Sequence, residues 1–293
     1  MILEAIESLG VSEREACRAL GQPRSTQRYE SKQPEKDREL VEAICQQVNR
    51  RKHRKYGYRR ITEVLRALGW LVNPKRIYRL WSSYDLKLPR QCRAKKRVNG
   101  NRHNACDQKP PEYLDHIWSY DFVEEKLESG RKVRILNIMD EFTRECLATE
   151  SGFNLKAHDV TEVLRYLFAV RGCPTYIRSD NGPEFIAEAV KMFLRDSGVE
   201  TLYIEPGSPW ENGYIESFNA RMRDELLNGE LFLTLTELKY VVERWRMDYN
   251  HYRPHSSLDY QTPAAYAKQC RSLGRIRQEK QAEDKKDYAE ILS

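Results

Sequence analysis

Apolar positions change their spacing partway along the chain. Up to about residue 88 they recur every three or four residues; from about 112 to 270, strict alternation and short apolar runs are interleaved with helical stretches. In the first part, Ser12-Glu13-Arg14-Glu15 reads as a capping box with Ser12 as N-cap, opening a short helix to about Leu20. Gly21-Gln22-Pro23 breaks it, and Arg24-Ser25-Thr26-Gln27-Arg28-Tyr29 starts a second, a helix-turn-helix outline for residues 1–36. A second helical unit is expected over 37–88. Ile61, Val64, Leu65 and Leu68 share one face of a helix that Gly69 ends, and Asn73-Pro74 caps another with Ile77, Leu80, Trp81 and Tyr84 as its apolar stripe.

The later part predicts strands at 116–123, 132–140 and 145–151, a helix at 157–170, a strand at 174–180, a helix at 183–198 and a strand at 199–205. A last helix opens near Glu211 and runs to about Asn228. Three antiparallel strands followed by helix-separated parallel ones make a mixed sheet with helices on its faces, the element order of a ribonuclease H-like core. The predicted fold class is therefore α/β, a ribonuclease H-like mixed-sheet core over 112–270, preceded by an all-α, helix-turn-helix-like region. Residues 89–111 are polar, basic and proline-bounded, as in a linker, and 271–293 form a charged tail.

Charge sharpens this division. The 293 residues carry a net +6, but residues 1–110 hold 26 Lys+Arg against 12 Asp+Glu, and 111–293 hold 24 against 32. A basic front suits a polyanion, and an acidic back suits chemistry that needs carboxylates. No apolar run approaches the roughly 18 residues that span a bilayer, and the first twenty residues lack a basic-then-apolar leader. The seven cysteines are scattered and never form C-x-x-C, which argues against a zinc cluster or a disulfide framework and fits reduced thiols in a cytoplasm.

Two groups of side chains carry candidate chemistry. The stretch 50–60, with Arg50, Arg51, Lys52, Arg54, Lys55, Arg59 and Arg60 around two tyrosines, suits a phosphate backbone, as do Lys95, Lys96 and Arg97 in the linker. The other group is acidic. Alternation places Ile117, Ser119, Asp121 and Val123 on one face of the first strand and Trp118, Tyr120 and Phe122 on the other. Asp180 ends the fourth strand. In "SPWENGYIESFN" (208–219) the helical period puts Ile215, Phe218, Met222 and Leu226 on a core face. Asn212, Glu216, Asn219 and Arg223 fall on a separate polar face, an acid flanked by donors for phosphate or base. Three hard oxygen ligands from separate elements suit Mg²⁺ or Mn²⁺. On spacing alone a chain with 44 acids always offers three, and Glu211, Glu225 and Asp140 stand as alternatives. Trp210 suits packing beside the helix as well as a DNA contact, and His251 and His255 suit structural or phosphate-facing roles rather than metal ligation.

"WSYDF" (118–122), "SDNGPEF" (179–185) and "SPWENGYIESFN" resemble the retroviral-integrase-like DDE transposases. Thirty-five residues separate Asp180 from Glu216, the D-35-E spacing of that superfamily, and Arg223 fills the basic position seven after the glutamate. "MDEFTREC" (139–146), "HYRPHSSLDYQTPAAY" (251–266) and "YGYRRITEVLRALGW" (56–70) resemble the second-frame, OrfB-type proteins of bacterial insertion sequences whose transposase is encoded in two overlapping frames. The resemblance implies Asp121, Asp180 and Glu216 as a catalytic, metal-binding triad. It implies Mg²⁺, cleavage at the 3′ ends of the element and attack of the freed 3′-hydroxyl on DNA. It implies element ends and target DNA as partners, a homo-oligomer on DNA, a first-frame partner protein or frameshift fusion, and a nucleoid-associated location in a bacterial cytoplasm. A metal-dependent nuclease of the same fold and a catalytically inactive DNA-binding regulator remain the alternatives.

Overall fold

The structure is a computed structural model that describes residues 2–29, 33–50, 53, 55–87, 109–180, 182–204 and 212–273. The expected linker (but for 109–111) and the tail beyond 273 lie outside these residues. The chain divides into two compact units, Met1–Asn49 and Arg50–Ser293, so the boundary falls inside the segment 37–88.

The first unit holds α1 (Ile2–Leu9), α2 (Glu13–Ala19), α3 (Arg24–Gln27) and α4 (Gln33–Val48). The capping box is present: Ser12 Oγ accepts from the Glu15 amide, and the Glu15 carboxylate accepts from the Ser12 amide at 3.0 Å. Ile2, Ala16 and Cys17 form a small core with Ile6 and Val11. The expected second helix is only the single turn α3, entered from Pro23, and its following residue Arg28 is held by Glu13 at 2.6 Å.

The second unit opens with α5 (Tyr58–Ala67) and α6 (Pro74–Ser83). Gly69 has φ +90°, a backbone open to glycine at no steric cost, and turns the chain between them. Asn73 Oδ1 caps α6 by accepting from the Lys75 amide at 2.9 Å. Ile61, Leu65, Ile77, Leu80 and Trp81 are buried as the stripes predict. Leu68 and Tyr84 are exposed, because each falls at its helix's C-cap, where the apolar face runs out.

The sheet holds β1 (Ile117–Lys126), β2 (Lys132–Asp140), β3 (Cys146–Gly152), β4 (Tyr176–Ser179) and β5 (Glu200–Tyr203), in the order β3-β2-β1-β4-β5. β1–β2 and β2–β3 pair antiparallel; β1–β4 and β4–β5 pair parallel. This is the predicted ribonuclease H-like arrangement. Helices α7 (Ala157–Arg171) and α8 (Glu188–Asp196) cover one face, where Trp118, Tyr120, Leu136, Ile138 and Ile177 meet Leu164 and Leu194. Helices α9 (Gly213–Glu225) and α10 (Leu235–His251) cover the other, where Val123, Ile135 and Met139 meet Ile215, Phe218, Met222 and Val242. The β1 alternation thus sorts its side chains as expected, and Asp121 lies on the α9 side.

Within the core, two helices differ from the sequence reading. Helix α8 starts at Glu188 rather than Pro183. Residues 183–187 make a turn in which Phe185 is buried against Tyr120 and Phe122 and Glu184 pairs with Arg134, contacts that a helical path from Pro183 would redirect. Helix α10, capped by Thr234 through the Glu237 amide at 3.1 Å, had no assignment from the pattern.

Candidate active site

The site begins with one carboxylate on β1. Asp121 lies opposite Asn137 of β2 in the antiparallel register. Helix α9 lowers Asn219 between them: Asn219 Nδ2 donates to Asp121 Oδ2 at 2.8 Å, and Asn137 Nδ2 donates to Asn219 Oδ1 at 2.8 Å. The Phe122 amide donates to Asp121 Oδ1 at 2.7 Å. This relay orients the acid and engages both ends of the Asn219 amide and the Asn137 NH2 group. Burial pushes the Asp121 pKa up to about 6; its hydrogen bonds oppose that rise, and the charges of Asp180 and Glu216 add to it.

Asp180 follows β4, the strand parallel to β1, and is exposed. Its Oδ1 accepts from the Gly182 amide at 2.9 Å. A Cβ at residue 182 would stand 3.0 Å from that oxygen and 3.2 Å from Phe185, so the glycine makes room for the carboxylate. Glu216 is exposed on α9, one turn before Asn219. The fold therefore brings the three acids from three elements into one electrostatic neighbourhood. Among the described residues no three His, Cys, Asp or Glu side chains stand close enough together to hold a metal ion. The donor set nevertheless suits a hard divalent cation: it is all carboxylate, and the charges of Asp180 and Glu216 raise the proton affinity of Asp121, a cost that a cation would relieve.

The alternative acids have other partners. Asp140 is buried and accepts from the Thr143 amide at 3.0 Å; burial raises its pKa to about 6. Glu225 holds Arg253 with contacts of 2.6 and 2.9 Å and Arg60 at 3.4 Å. Glu211 and Trp210 lie outside the described residues. Among the DNA-binding candidates, Arg50, Lys55 and Arg59 are exposed. Arg60 instead faces Glu225, and Arg223 is exposed with Nη2 donating to the Glu124 carbonyl at 2.9 Å. Asn212 is buried at the start of α9 and Asn219 is engaged with Asp121. Arg51, Lys52, Arg54, Lys95, Lys96 and Arg97 lie outside the described residues. His255 is buried between Tyr249 and Ser257, whereas His251 is exposed.

Sequence reasoning missed Asn137 and Arg253. Asn137 interrupts the apolar run "ILNIMD" and was a signal, but only the strand register shows that it faces Asp121. Arg253, 2% exposed, gave no local signal, because its partner lies 28 residues away.

Residues 114–209 and 197–263 match the integrase core domain family, and 32–96 match an HTH-like domain. The insertion element IS407 31.7 kDa protein of Burkholderia multivorans is 35% identical over 91% of this chain and 94% of its own length. Transposase InsD of the Escherichia coli element IS2 is 29% identical over 74% of this chain and 76% of its own. The HTLV-2 integrase catalytic core domain, solved in complex with magnesium, aligns at 18% identity with a TM-score of 0.44, covering 54% of this chain and 99% of that one. With its integrase core, its HTH-like domain and an insertion-element relative matched nearly end to end, the chain belongs to the second-frame transposases of bacterial insertion sequences, polynucleotidyl transferases of the DDE superfamily.

Proposed function

We propose that Asp121, Asp180 and Glu216 are the catalytic carboxylates of 3′-end cleavage and strand transfer at the ends of an insertion sequence. The observation that carries this reading is the common field of the three acids around Asp121 on the α9 side of the sheet. The same three residues would hold Mg²⁺, with Mn²⁺ as a substitute. Bound there, the metal would supply Lewis acidity to the attacking and leaving oxygens of an in-line displacement. The chain's own part is positioning. Asn219 and the Phe122 amide fix Asp121, Gly182 fixes Asp180, and the rigid frame of α9 carries Glu216. No covalent nucleophile is required, since water or a DNA 3′-hydroxyl attacks according to which is bound.

DNA is the substrate, element ends and target alike. Exposed Arg50, Lys55 and Arg59, together with Arg51, Lys52, Arg54, Lys95, Lys96 and Arg97, serve its backbone, as does exposed Arg223, two turns beyond Glu216 on α9. Arg60 and Asn219 reach DNA only if their present contacts are exchanged, and Asn212 only if its buried side chain is uncovered. Cutting two ends together calls for an oligomer on DNA, and the second-frame origin calls for a first-frame partner or fusion. The site of action is the nucleoid in the cytoplasm. Among the described residues no helix is long and apolar enough to cross a membrane.

The test uses DNA carrying the element's ends, with Mg²⁺ or chelator, with and without the upstream-frame product. Metal-dependent joined product that disappears in Glu216→Gln, with DNA binding retained, is the expected result. Cutting without joining would favour a nuclease, and binding with neither reaction would favour a regulator.

A further inference from the structure

On the same face of the sheet as the acids, a second feature has no part in the chemistry above. A cavity of about 340 Å³ is lined by Lys109, Arg144, Arg178, Arg221 and His255, with Ser217 and Ser257 among its hydroxyls. Its floor holds Met139 and Arg178, both paired with or next to Ser119, two residues along the strands from the row of Asn137 and Asp121. That is a step of about 7 Å. Helix α9 thus carries Glu216 and Asn219 on one flank, and Gly213, Tyr214, Ser217 and Arg221 on the flank that walls the cavity.

The charge there is one-sided. Among the described residues no Asp or Glu lines the cavity. Glu141, fully buried beneath it, pairs with Arg178 at 3.0 Å, and its backbone carbonyl accepts from Arg144. Glu225, behind it, is taken by Arg253 and Arg60. Among the described residues Arg221 hydrogen-bonds only within its own helix, to the Ser217 carbonyl at 2.9 Å and to the Ser217 hydroxyl. Arg144 sits over the Tyr214 ring, 3.8 Å from its centre. Arg253, 2% exposed, keeps Nη1 without a hydrogen-bond partner. The field acts on His255, whose pKa is pushed down to about 3, first by burial and then by Arg253, Arg221 and Arg144. Four cations with neutral hydroxyls and a neutral imidazole, and no carboxylate in the wall, form a receptor for a tetrahedral oxyanion.

We infer that this cavity binds a phosphate group, and that its carrier is the backbone of a DNA strand held beside the acids. The choice of DNA as carrier rests on the transposase chemistry proposed above; the phosphate chemistry rests on the cavity alone. Arg144 and Arg221 would donate to the phosphate oxygens; Arg178, held by Glu141 and the Lys109 carbonyl, would add positive charge from the floor, and Lys109 would neutralise charge at the rim.

The test compares the full chain with Arg221→Gln and Lys109→Gln, using a duplex of the element's end. Each variant should bind with the slope of log K against log[salt] reduced by about 0.9, the loss of one phosphate contact. Arg221 braces nothing beyond its own helix turn, so its variant should melt like the wild type without DNA; if it fails to fold, Lys109→Gln decides. A second arm melts all three proteins in inorganic phosphate against chloride at matched ionic strength. If phosphate raises the wild-type Tm but not the variants', while the DNA slope is unchanged, the site stands but takes free phosphate, and the DNA assignment falls. Wild-type slopes and no differential stabilisation by phosphate overturn the inference. Neither readout uses joining, so a failed Glu216→Gln experiment and a failed cavity experiment are separate results.

Discussion

At the scale of single residues, the site depends on small clearances. Asp180 keeps its rotamer because the Gly182 amide holds it and because nothing projects from residue 182. Gly182→Ala puts a methyl 3.0 Å from the carboxylate oxygen, in contact with a group that can swing away. The fold should lose about 1 kcal/mol or somewhat more, since the buried Phe185 ring 3.2 Å away must also give. Joining should fall by at least about tenfold, since misplacing one group by an ångström is enough for such a loss. Near-wild-type joining rates would show that Asp180 needs no such support. His255 gives a second prediction. Its folded pKa of about 3 lies below the ordinary 6.5, so the unfolded chain takes up a proton first as the pH falls. The stability it contributes is complete above pH 6.5 and is lost on the way down towards pH 3. Between pH 7 and pH 5 that loss is about 2 kcal/mol. Asp140 and Glu141, with pKa values raised by burial, act in the opposite sense but do so equally in a variant. Urea unfolding at the two pH values should therefore show a smaller acid loss in His255→Gln; equal losses would count against a neutral buried imidazole.

At the scale of elements, α9 has three uses. Its core stripe, Ile215, Phe218 and Met222, is fully buried against the sheet. One flank brings Asn219 and Glu216 to Asp121, and the other walls the basic cavity. Its end is tied by Glu225, which joins Arg253, just beyond α10, and Arg60 of α5. Removing one member of such a buried group strands the others. Glu225→Gln should cost about 3–5 kcal/mol, because Arg253 is left charged and 2% exposed. Adding Arg253→Met should recover part of that loss. If the double variant is no more stable than the single one, the stranded charge is not the cause. The sequence had offered Glu225 as a candidate metal ligand; helical spacing shows that an acid is present but not which cation reaches it.

At the scale of the whole chain, the basic front and acidic back have separate work. Arg50, Lys55 and Arg59 are exposed in the stretch expected to follow a phosphate backbone. Replacing all three with Gln should weaken duplex binding and lower the salt slope by roughly 2–3, about 0.9 for each lost contact. An unchanged slope would place the DNA path elsewhere. Among the described residues, two large apolar clusters lie within Arg50–Ser293, so the catalytic core carries its own hydrophobic support.

What the sequence determined by itself was local. Alternation sorted β1 into two faces, periodicity exposed the core stripe of α9, and capping residues located α2 and α6, because each depends on neighbours a few residues apart. The candidate acids were equally legible, through residue type, motif and spacing. Tertiary structure decided the rest, where partners are distant in sequence. It set Asn137 opposite Asp121 through strand register and slid Asn219 between them from a helix 98 residues beyond Asp121. It turned 183–187 out of the helix to bury Phe185, and it gathered Lys109, Arg144, Arg178 and Arg221 from four separated segments into one cavity. Register, burial and charge density arise only when the sheet and its helices close on one another, and a linear chain holds no trace of which distant group will lie within 3 Å.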